Sequence, residues 1–486
     1  MSDAFDLAAR AHRAMLEAGF QPDFPADVLS ELQNLKGRAQ TNPQPAVRDL
    51  RQLLWSSIDN DTSRDLDQVE YAEKSPDGTI RLLVGIADVD SLVTKGTALD
   101  RHAGSESTSV YTGVKTFPML PPELSTDRTS LSDGQERLAL VIELRILASG
   151  EVASHEVYPA SILNAAKLAY SSTGAWLEGR GPIPPAAAKA PGMEAQLQLQ
   201  LEASERLRNI RKQHGTLCFG SIEAAPVVEQ GQVKDLVVRT HNVAEDIIES
   251  FMVAANVAMA QFLKEKNSLS IRRVVKTPRR WDRIQAIANQ FGIKLPDVPD
   301  AKALSDFLEK RRAADPAHFP DLSLSIVKLL GPGEYTVEAP GAEHEGHFGL
   351  AVHDYTHSTA PNRRYADLVT QRLLKAATSS SSTRYEQEEL SQIAAHCTER
   401  EDAARKVERL MRKIIAASLL AKRIGETFDG IVTGASPKGT YVRLLKFPAE
   451  GRVIRNAQGI DVGDKVRVRL ISVEIDKGFI DFEKVA

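Results

Sequence analysis

Four aspartates lie within nine residues of this chain, at Asp59, Asp61, Asp65 and Asp67 in the stretch SIDNDTSRDLDQVEY. Like charges at this density repel one another. A fold can accept the stretch only as a solvated loop or as a site where cations neutralise the carboxylates. Either solution fixes where the segment must lie in the fold, and no other feature of the sequence restricts the fold as strongly.

The spacing of these acidic residues is compatible with two kinds of cation site. An EF-hand calcium loop could run from Asp59 to Glu70, but Arg64 replaces the glycine of its sharp turn and the flanks predict strands. In a catalytic centre, Asp65 and Asp67 point the same way on an extended chain, and Asp59 folds back across a loop. Such oxygen ligands suit Mg²⁺ or Mn²⁺. Two of these ions about 3.5–4 Å apart stabilise the attacking and leaving oxygens when a phosphodiester is hydrolysed.

Charge and cysteine content limit the possible partners and location. The 486 residues carry a formal net charge of -4, so a polyanion would have to bind local basic patches such as residues 271–283 and 310–316. Cys218 and Cys397 are the only cysteines, which argues against a disulfide framework and favours a reducing cytoplasm. No run of about 18 apolar residues occurs, so the sequence predicts no membrane span and no membrane contact.

The hydrophobic pattern changes twice along the chain and predicts an α+β protein with three parts. Residues 1–55 have helical periodicity, including a third short helix over VRDLRQLLW at 47–55. They form either a helix-turn-helix domain or a helical extension packed on the next domain. Residues 56–423 alternate β-rich runs with helical segments and predict one large mixed domain. Residues 424–486 contain five short strands with glycines at the turns, which is the rhythm of an OB-fold β-barrel.

Three further segments carry a family resemblance: GIADVDSLVTKGTALDRHA at 85–103, SVYTGVKTFPMLPPELSTD at 109–127 and HFGLAVHDYTHSTAPNRRYADLVTQRLLKA at 347–376. Residues 56–423 resemble the RNB catalytic domain of the ribonuclease II/R family. The segment from Ile424 resembles the S1 RNA-binding domain that follows it in that family. The resemblance implies a processive 3'→5' exoribonuclease that uses Mg²⁺ or Mn²⁺ to hydrolyse single-stranded RNA to nucleoside 5'-monophosphates. We expect it to act on its RNA partner as a monomer.

The resemblance also assigns roles to individual positions. Asp59, Asp65 and Asp67 match metal-binding carboxylates, and Asp67 is also a catalytic residue in this scheme. Arg363 matches a catalytic arginine at the scissile phosphate, where a guanidinium can bind phosphate in a bidentate manner and stabilise developing charge. The resemblance implies an aromatic clamp on the last bases of the RNA, formed by Tyr111 and Phe219. It also implies two residues at the ribose end that favour RNA over DNA, Tyr170 and Glu249. Core packing is the alternative role for Phe219, and an ordinary polar helix position is the alternative for Glu249.

The chain departs from the family motif at its fourth acidic position. The motif D-x5-D-x-D-D falls on Asp59, Asp65, Asp67 and Gln68, so an amide replaces a carboxylate. Asp61 or Glu70 could compensate. The main prediction is an active enzyme, because the other motif residues are intact. The alternative is a catalytically impaired RNA-binding regulator of the same family.

A group of histidines permits a further interpretation as a zinc site. His344, His347, His353 and His357 lie within fourteen residues, and the last two are four residues apart. Asp354 stands where an H-E-x-x-H motif has glutamate, and no helix is predicted there. We therefore expect His347 and His357 to be structural.

Overall fold

The computed structural model describes residues 5–35, 47–220, 223–229, 232–239, 241–316, 318–342, 345–378, 384–436 and 439–485. The α-helices in these ranges are α1 (Leu7–Glu17), α2 (Ala26–Leu35), α3 (Ala98–Glu106), α4 (Tyr170–Leu177), α5 (Pro185–Lys189), α6 (Met193–His214), α7 (Val243–Glu265), α8 (Trp281–Gln290), α9 (Ala301–Ala314), α10 (Phe319–Leu330), α11 (Tyr365–Thr378) and α12 (Gln387–Leu420). The β-strands are β1 (Arg48–Asp49), β2 (Trp55–Asp59), β3 (Gln68–Lys74), β4 (Ile80–Ala87), β5 (Val110–Tyr111), β6 (Thr116–Phe117), β7 (Glu136–Ile146), β8 (Val152–Ala169), β9 (Glu223–Glu229), β10 (Gln232–Arg239), β11 (Ser270–Val274), β12 (Glu334–Glu338), β13 (Thr427–Ser436), β14 (Gly439–Leu444), β15 (Glu450–Arg455), β16 (Lys465–Glu474) and β17 (Phe479–Val485).

A six-stranded mixed sheet in the order β1-β8-β2-β3-β4-β7 forms the centre of the middle region. Strand β4, with the sequence IRLLVGIA, is buried along nearly its whole length, as its aliphatic composition predicts for a central strand. The 18-residue β8 pairs with β7 over its first part and with β2 over its last part, so it connects the last strand in the sheet order back to β2. The last pair in the β2–β8 register is Asp59 with Ala169. The loop after β2 and the start of α4 therefore lie at the same rim of the sheet.

Long helices cover this sheet and complete the main hydrophobic core. Helix α6 packs against β3 and β4, and α7 packs against β7 and β8. Among the described helices, α7 is long and apolar enough to cross a membrane, but 61% of its most apolar window is buried inside the protein. Phe251, Met259 and Leu263 of α7 are fully buried in the core. Helix α7 therefore acts as a core helix in this structure.

The C-terminal region is a closed five-stranded barrel in the order β13-β14-β15-β17-β16. Burial alternates along β16, where Val466, Val468 and Leu470 point inward between exposed basic residues. These side chains pack on Phe482 and the other apolar residues of the barrel. The prediction of an OB-fold barrel from the alternating pattern is confirmed, as is the mixed α+β class.

The two described N-terminal helices pack on different parts of the remaining chain. Helix α1 contributes Ala11, Ala14 and Met15 to an apolar cluster with α12. Helix α2 contributes Val28 and Leu32 to the main core. Both helices therefore bury their apolar faces against later parts of the chain.

The prediction of a third helix over residues 47–55 is wrong. Arg48 and Asp49 form β1, which pairs in parallel with Ala160 and Ser161 of β8. Trp55 begins β2, and its indole N–H donates to the Leu50 carbonyl at 2.9 Å. Pairing with β8 thus overrides the local helical periodicity, because tertiary packing outweighs weak intrinsic propensity.

Candidate functional site

The acidic stretch forms the loop between β2 and β3. Asp59 ends β2 and Gln68 begins β3. The path of the loop is fixed by Ser130, whose Oγ donates to the Arg64 carbonyl at 2.7 Å and accepts from the Leu66 N–H at 3.1 Å. Strands flank the loop on both sides, so the EF-hand interpretation is wrong, because that motif needs two flanking helices.

Asp67 is the most buried of the three predicted metal ligands, with 2% of its surface exposed. One carboxylate oxygen, Oδ1, accepts from the Asn362 N–H at 3.0 Å. The other, Oδ2, has no hydrogen-bond partner and lies 3.5 Å from the Arg363 Nε. Burial raises the pKa of Asp67 to about 7, while the positive charge of Arg363 and the hydrogen bond from Asn362 lower it. A buried carboxylate oxygen with no hydrogen-bond donor fits the ligand set of a divalent cation.

Asp59 and Asp65 complete the predicted set. Asp59 Oδ1 accepts from the Asn60 N–H at 2.6 Å and from the Ser63 hydroxyl at 3.0 Å. Tyr111 Oη donates to Asp65 Oδ2 at 3.4 Å. Burial raises the pKa of Asp59. Among the described residues, Asp59, Asp65 and Asp67 do not form a group whose carboxylate oxygens all lie within 4.8 Å of one another.

A tight turn before α11 carries Arg363 to the cluster. Asp367 accepts from the Ala360 N–H at 2.8 Å and from Arg364 Nε and Nη2 at 2.8 and 2.7 Å. The Arg363 carbonyl accepts from the Ser109 N–H at 2.9 Å, which ties the turn to the segment that carries β5. Arg364 is thus a structural residue, while the Arg363 side chain remains 44% exposed.

A cavity of about 910 Å³ is lined by residues that include Asp65, Tyr111, Tyr170 and Asn362. Asp59, Asp67 and Arg363 are sequence neighbours of lining residues but are not themselves in the described lining. Tyr111 has 43% of its surface exposed, so its ring is available for stacking. Tyr170 begins α4 directly after the end of β8. Burial, followed by the negative charges of Asp59 and Glu70, raises the pKa of Tyr170, so its hydroxyl stays a hydrogen-bond donor at neutral pH. The structure therefore brings two predicted substrate residues to the predicted metal ligands.

The other two predicted substrate residues lie elsewhere. Phe219 packs against the apolar cluster of α8, α9 and α10. Glu249 lies on α7, and its Oε1 is 3.8 Å from Arg211 Nη1. Neither belongs to the described lining of the 910 Å³ cavity. Their assignment to RNA stays a prediction, and core packing describes the position of Phe219.

The family motif ends at Gln68 and does not include the buried carboxylate of Glu70, two residues later. Gln68 has 8% of its surface exposed. Glu70, two residues further along β3, is fully buried, and neither of its carboxylate oxygens has a hydrogen-bond partner. Burial, and then the negative charge of Asp59, raise the pKa of Glu70 far above its usual value. The available sequence signal was the period-two alternation of a strand, which places residues 68 and 70 on one face. Asp61 instead accepts hydrogen bonds from Ser171 at 2.8 and 3.0 Å.

The histidines have structural contacts. His347 Nδ1 accepts from the Leu350 N–H at 3.1 Å, and His357 Nδ1 lies 2.8 Å from the Tyr335 hydroxyl. His344 lies outside the described residues. Within the described part of the chain, the one group of possible metal ligands that converges within 4.8 Å is His241, Asp246 and Glu249.

Ion pairs explain why His241 and Asp246 lie close together without a metal ion. His241 lies 2.9 Å from Asp246, which also pairs with Arg208 at 2.5 Å.

Comparison with known proteins agrees with the sequence resemblance. A family model for the RNB domain matches residues 47–380, and one for the RNase II-type exonuclease C-terminal S1 domain matches residues 426–485. The chain is 28% identical over 494 residues to ribonuclease R 2 of Lactococcus lactis, and the match covers 96% of this chain and 73% of that relative.

Solved structures share the fold. The structure of Mycoplasma genitalium RNase R in complex with ribose-methylated single-stranded RNA matches with a TM-score of 0.89 and 23% identity, covering 99% of this chain and 78% of that one. Yeast Ssd1, a pseudonuclease, matches with a TM-score of 0.70 and 18% identity, covering 92% of this chain and 56% of that one. The fold is thus found both in an RNA complex of a ribonuclease and in a pseudonuclease.

Proposed function

Because this chain belongs to the RNB-domain family of exoribonucleases, we propose that it is itself a metal-dependent, processive 3'→5' exoribonuclease that converts single-stranded RNA to nucleoside 5'-monophosphates. The observation that carries the proposal is the buried Asp67, whose Oδ2 lacks a hydrogen-bond donor and lies 3.5 Å from Arg363 Nε beside a cavity. Acidic oxygens next to an exposed guanidinium are the groups needed to bind a phosphate together with its cations.

The residues at the cavity fit a divalent cation. Asp59, Asp65 and Asp67 would hold Mg²⁺ or Mn²⁺, and the unpaired oxygen of Asp67 is available for it. When bound, such ions stabilise negative charge on the attacking and leaving oxygens of a phosphodiester. The family enzymes are metal-dependent nucleases, and the identity of the ion here is part of the proposal.

Arg363 and the tyrosines supply the remaining functions. The guanidinium of Arg363 is held beside Asp67 by the turn before α11 and binds the scissile phosphate. Tyr111 stacks on a terminal base, which suits an enzyme without sequence preference because every base has a π-face. The protonated hydroxyl of Tyr170 is placed to donate to the ribose end, where the 2'-OH distinguishes RNA from DNA.

The S1 barrel supports RNA as the partner, and the two free cysteines support a cytoplasmic location. We assign single-stranded RNA as the partner, bound by the barrel as well as by the cavity, and the monomer as the functional unit. Cys218 and Cys397 are free thiols, which is compatible with the reducing cytoplasm that we propose as the location.

The test is release of nucleotides from the 3' end of a 5'-labelled single-stranded RNA in Mg²⁺ and in Mn²⁺. We expect Asp67→Asn to slow release by at least about a hundredfold, since even changes around metal ligands commonly cost 10–100-fold. Asp77→Asn is the matched control, because Asp77 is an exposed aspartate between β3 and β4 and lies outside the lining of the cavity. Equal release by the wild type and Asp67→Asn would remove the metal assignment.

A second candidate function is an RNA-binding regulator with an inactive nuclease centre. Gln68 is the observation that favours it, because the family motif has a fourth carboxylate at this position. This candidate predicts RNA binding without nucleotide release by the wild type, and the appearance of release in Gln68→Asp.

A further inference from the structure

Glu70 is a buried carboxylate with no described partner. Its surface is 0% exposed, and both Oε1 and Oε2 lack a hydrogen-bond donor. Burying a carboxylate in this way is costly unless the group is neutralised or paired with a cation. Buried carboxylates elsewhere in the same sheet are paired: Glu143 of β7 accepts from Arg81 at 2.7 and 2.8 Å and from Tyr158 at 2.8 Å. Glu70 therefore differs from a structural glutamate.

The polar residues next to Glu70 do not form a hydrogen bond with its carboxylate. Ser56 of β2 lies directly opposite Glu70 in the register. Gln200 of α6 donates through Nε2 to the Ser56 hydroxyl at 3.2 Å and to the Glu70 carbonyl at 3.4 Å. The amide of Gln200 thus engages the backbone of Glu70 and leaves the carboxylate free.

Glu70 lies beside the strand that carries Asp59, because it pairs with Ser56, three residues before the end of β2 at Asp59. The negative charge of Asp59 acts on Glu70, and the charges of both residues act on Tyr170 at the cavity wall. Side chains alternate along a strand, so Glu70 lies on the same face as Gln68, about 6.8 Å further along the strand. A carboxylate absent at position 68 is thus present two residues later on the same face.

We propose that the carboxylate of Glu70 supplies the divalent-metal centre with the fourth negative charge that Gln68 lacks. This inference rests on the proposed function, because it assumes that the site binds Mg²⁺ or Mn²⁺. Glu70 is a positioning residue in this scheme: it holds the cation in the site together with Asp59, while Asp67 and Arg363 face the phosphate. A cation also provides the partner that the buried carboxylate otherwise lacks.

The test measures Mn²⁺ binding to the full chain without RNA, by electron paramagnetic resonance of free Mn²⁺, together with thermal unfolding in the presence and absence of Mn²⁺. We expect Glu70→Gln to weaken Mn²⁺ binding by about 10–100-fold. The same variant should gain less thermal stability from added Mn²⁺ than the wild type does, because it has lost the carboxylate that we assign to the cation. Glu143→Gln is the matched control and should leave Mn²⁺ affinity unchanged.

A double variant separates compensation from a general effect. If Glu70 replaces the missing carboxylate, Gln68→Asp combined with Glu70→Gln should return Mn²⁺ affinity and nucleotide release to within a few-fold of the wild type. Wild-type Mn²⁺ affinity in Glu70→Gln would overturn the inference while leaving the proposed function intact. A wild type that neither binds Mn²⁺ nor releases nucleotides would overturn both.

Discussion

Replacing Asp367 by asparagine is the change for which the structure predicts a large effect on stability near the site. Asp367 is fully buried at the start of α11. Its carboxylate accepts two hydrogen bonds from Arg364, at 2.7 and 2.8 Å, and one from the Ala360 N–H at 2.8 Å. Asparagine has nearly the same size, but it offers one acceptor oxygen and places an NH₂ donor against another donor.

The magnitude follows from which groups lose their partners. Arg364 keeps its charge but loses its anion, and removing one member of a buried ion pair costs about 3–5 kcal/mol. An unpaired Ala360 N–H costs about 1–3 kcal/mol more, although the two losses overlap because one carboxylate serves both. We therefore expect the free energy of unfolding to fall by about 3–5 kcal/mol.

Urea unfolding followed by tryptophan fluorescence measures this change. Trp55, Trp176 and Trp281 are the only tryptophans, and all three lie within residues 47–380, so the signal reports on the RNB domain. Glu156→Gln is the control, because its pair with Arg48 at 3.1 Å joins two exposed side chains. Exposed pairs contribute about 0–1 kcal/mol.

A loss of less than about 1 kcal/mol in Asp367→Asn, equal to that in the control, would refute the reasoning. It would mean that the turn before α11 does not depend on the Asp367 carboxylate. The position of Arg363 beside Asp67 would then need another cause.

Three further predictions concern RNA binding, the rate and pH. Tyr111→Ala should weaken binding of single-stranded RNA by about 5–150-fold, the equivalent of about 1–3 kcal/mol for one stacked base, while Tyr111→Trp retains binding in a fluorescence titration. Arg363→Lys should lower the rate of nucleotide release by about 10²-fold with little change in RNA affinity, because lysine cannot bind phosphate in a bidentate manner. Burial lowers the pKa of His347 to about 4, so its contribution to stability is complete above the unfolded value of about 6.5 and is lost as the pH falls towards 4. From pH 7 to pH 5 the wild type should lose about 2 kcal/mol more than His347→Asn, which keeps a side-chain oxygen to cap the Leu350 N–H, in urea unfolding at the two pH values.

The local hydrophobic pattern was sufficient to predict a secondary-structure element when the elements that it packs against are close in sequence. The alternation of Val466, Val468 and Leu470 with basic residues predicts β16 and its buried face, and the barrel follows from five such segments in succession. Residues 47–55 show the limit of the same approach. Their apolar spacing fits a helix, but Arg48 and Asp49 pair with a strand more than a hundred residues later, and no local signal reports that partner.

In the candidate site, too, the local sequence predicts some features, while others depend on contacts between distant parts of the chain. The predicted metal ligands Asp59, Asp65 and Asp67 lie in one short stretch between the end of β2 and the start of β3. The contact that orients Asp67 joins it to Asn362 across 295 positions of sequence, so neither pattern nor periodicity could have found it. The family resemblance assigned Phe219 to RNA, but a resemblance of sequence carries no information on its packing against the α8–α10 cluster.

The position of Glu70 determines what kind of compensation is physically available. Electrostatic attraction between a carboxylate and a cation falls only as the inverse of distance, whereas direct ligation requires oxygen at about 2.0–2.6 Å. A carboxylate that lies about 6.8 Å further along the strand face can still attract a cation near Asp59. It is less able to replace a direct ligand beside Asp67. For this reason Mn²⁺ affinity is a more direct measure of Glu70 than the rate of nucleotide release. A motif that counts aspartates at fixed positions would classify this chain as defective. The stretch from the end of β2 into β3 nevertheless carries four carboxylates, at Asp59, Asp65, Asp67 and Glu70.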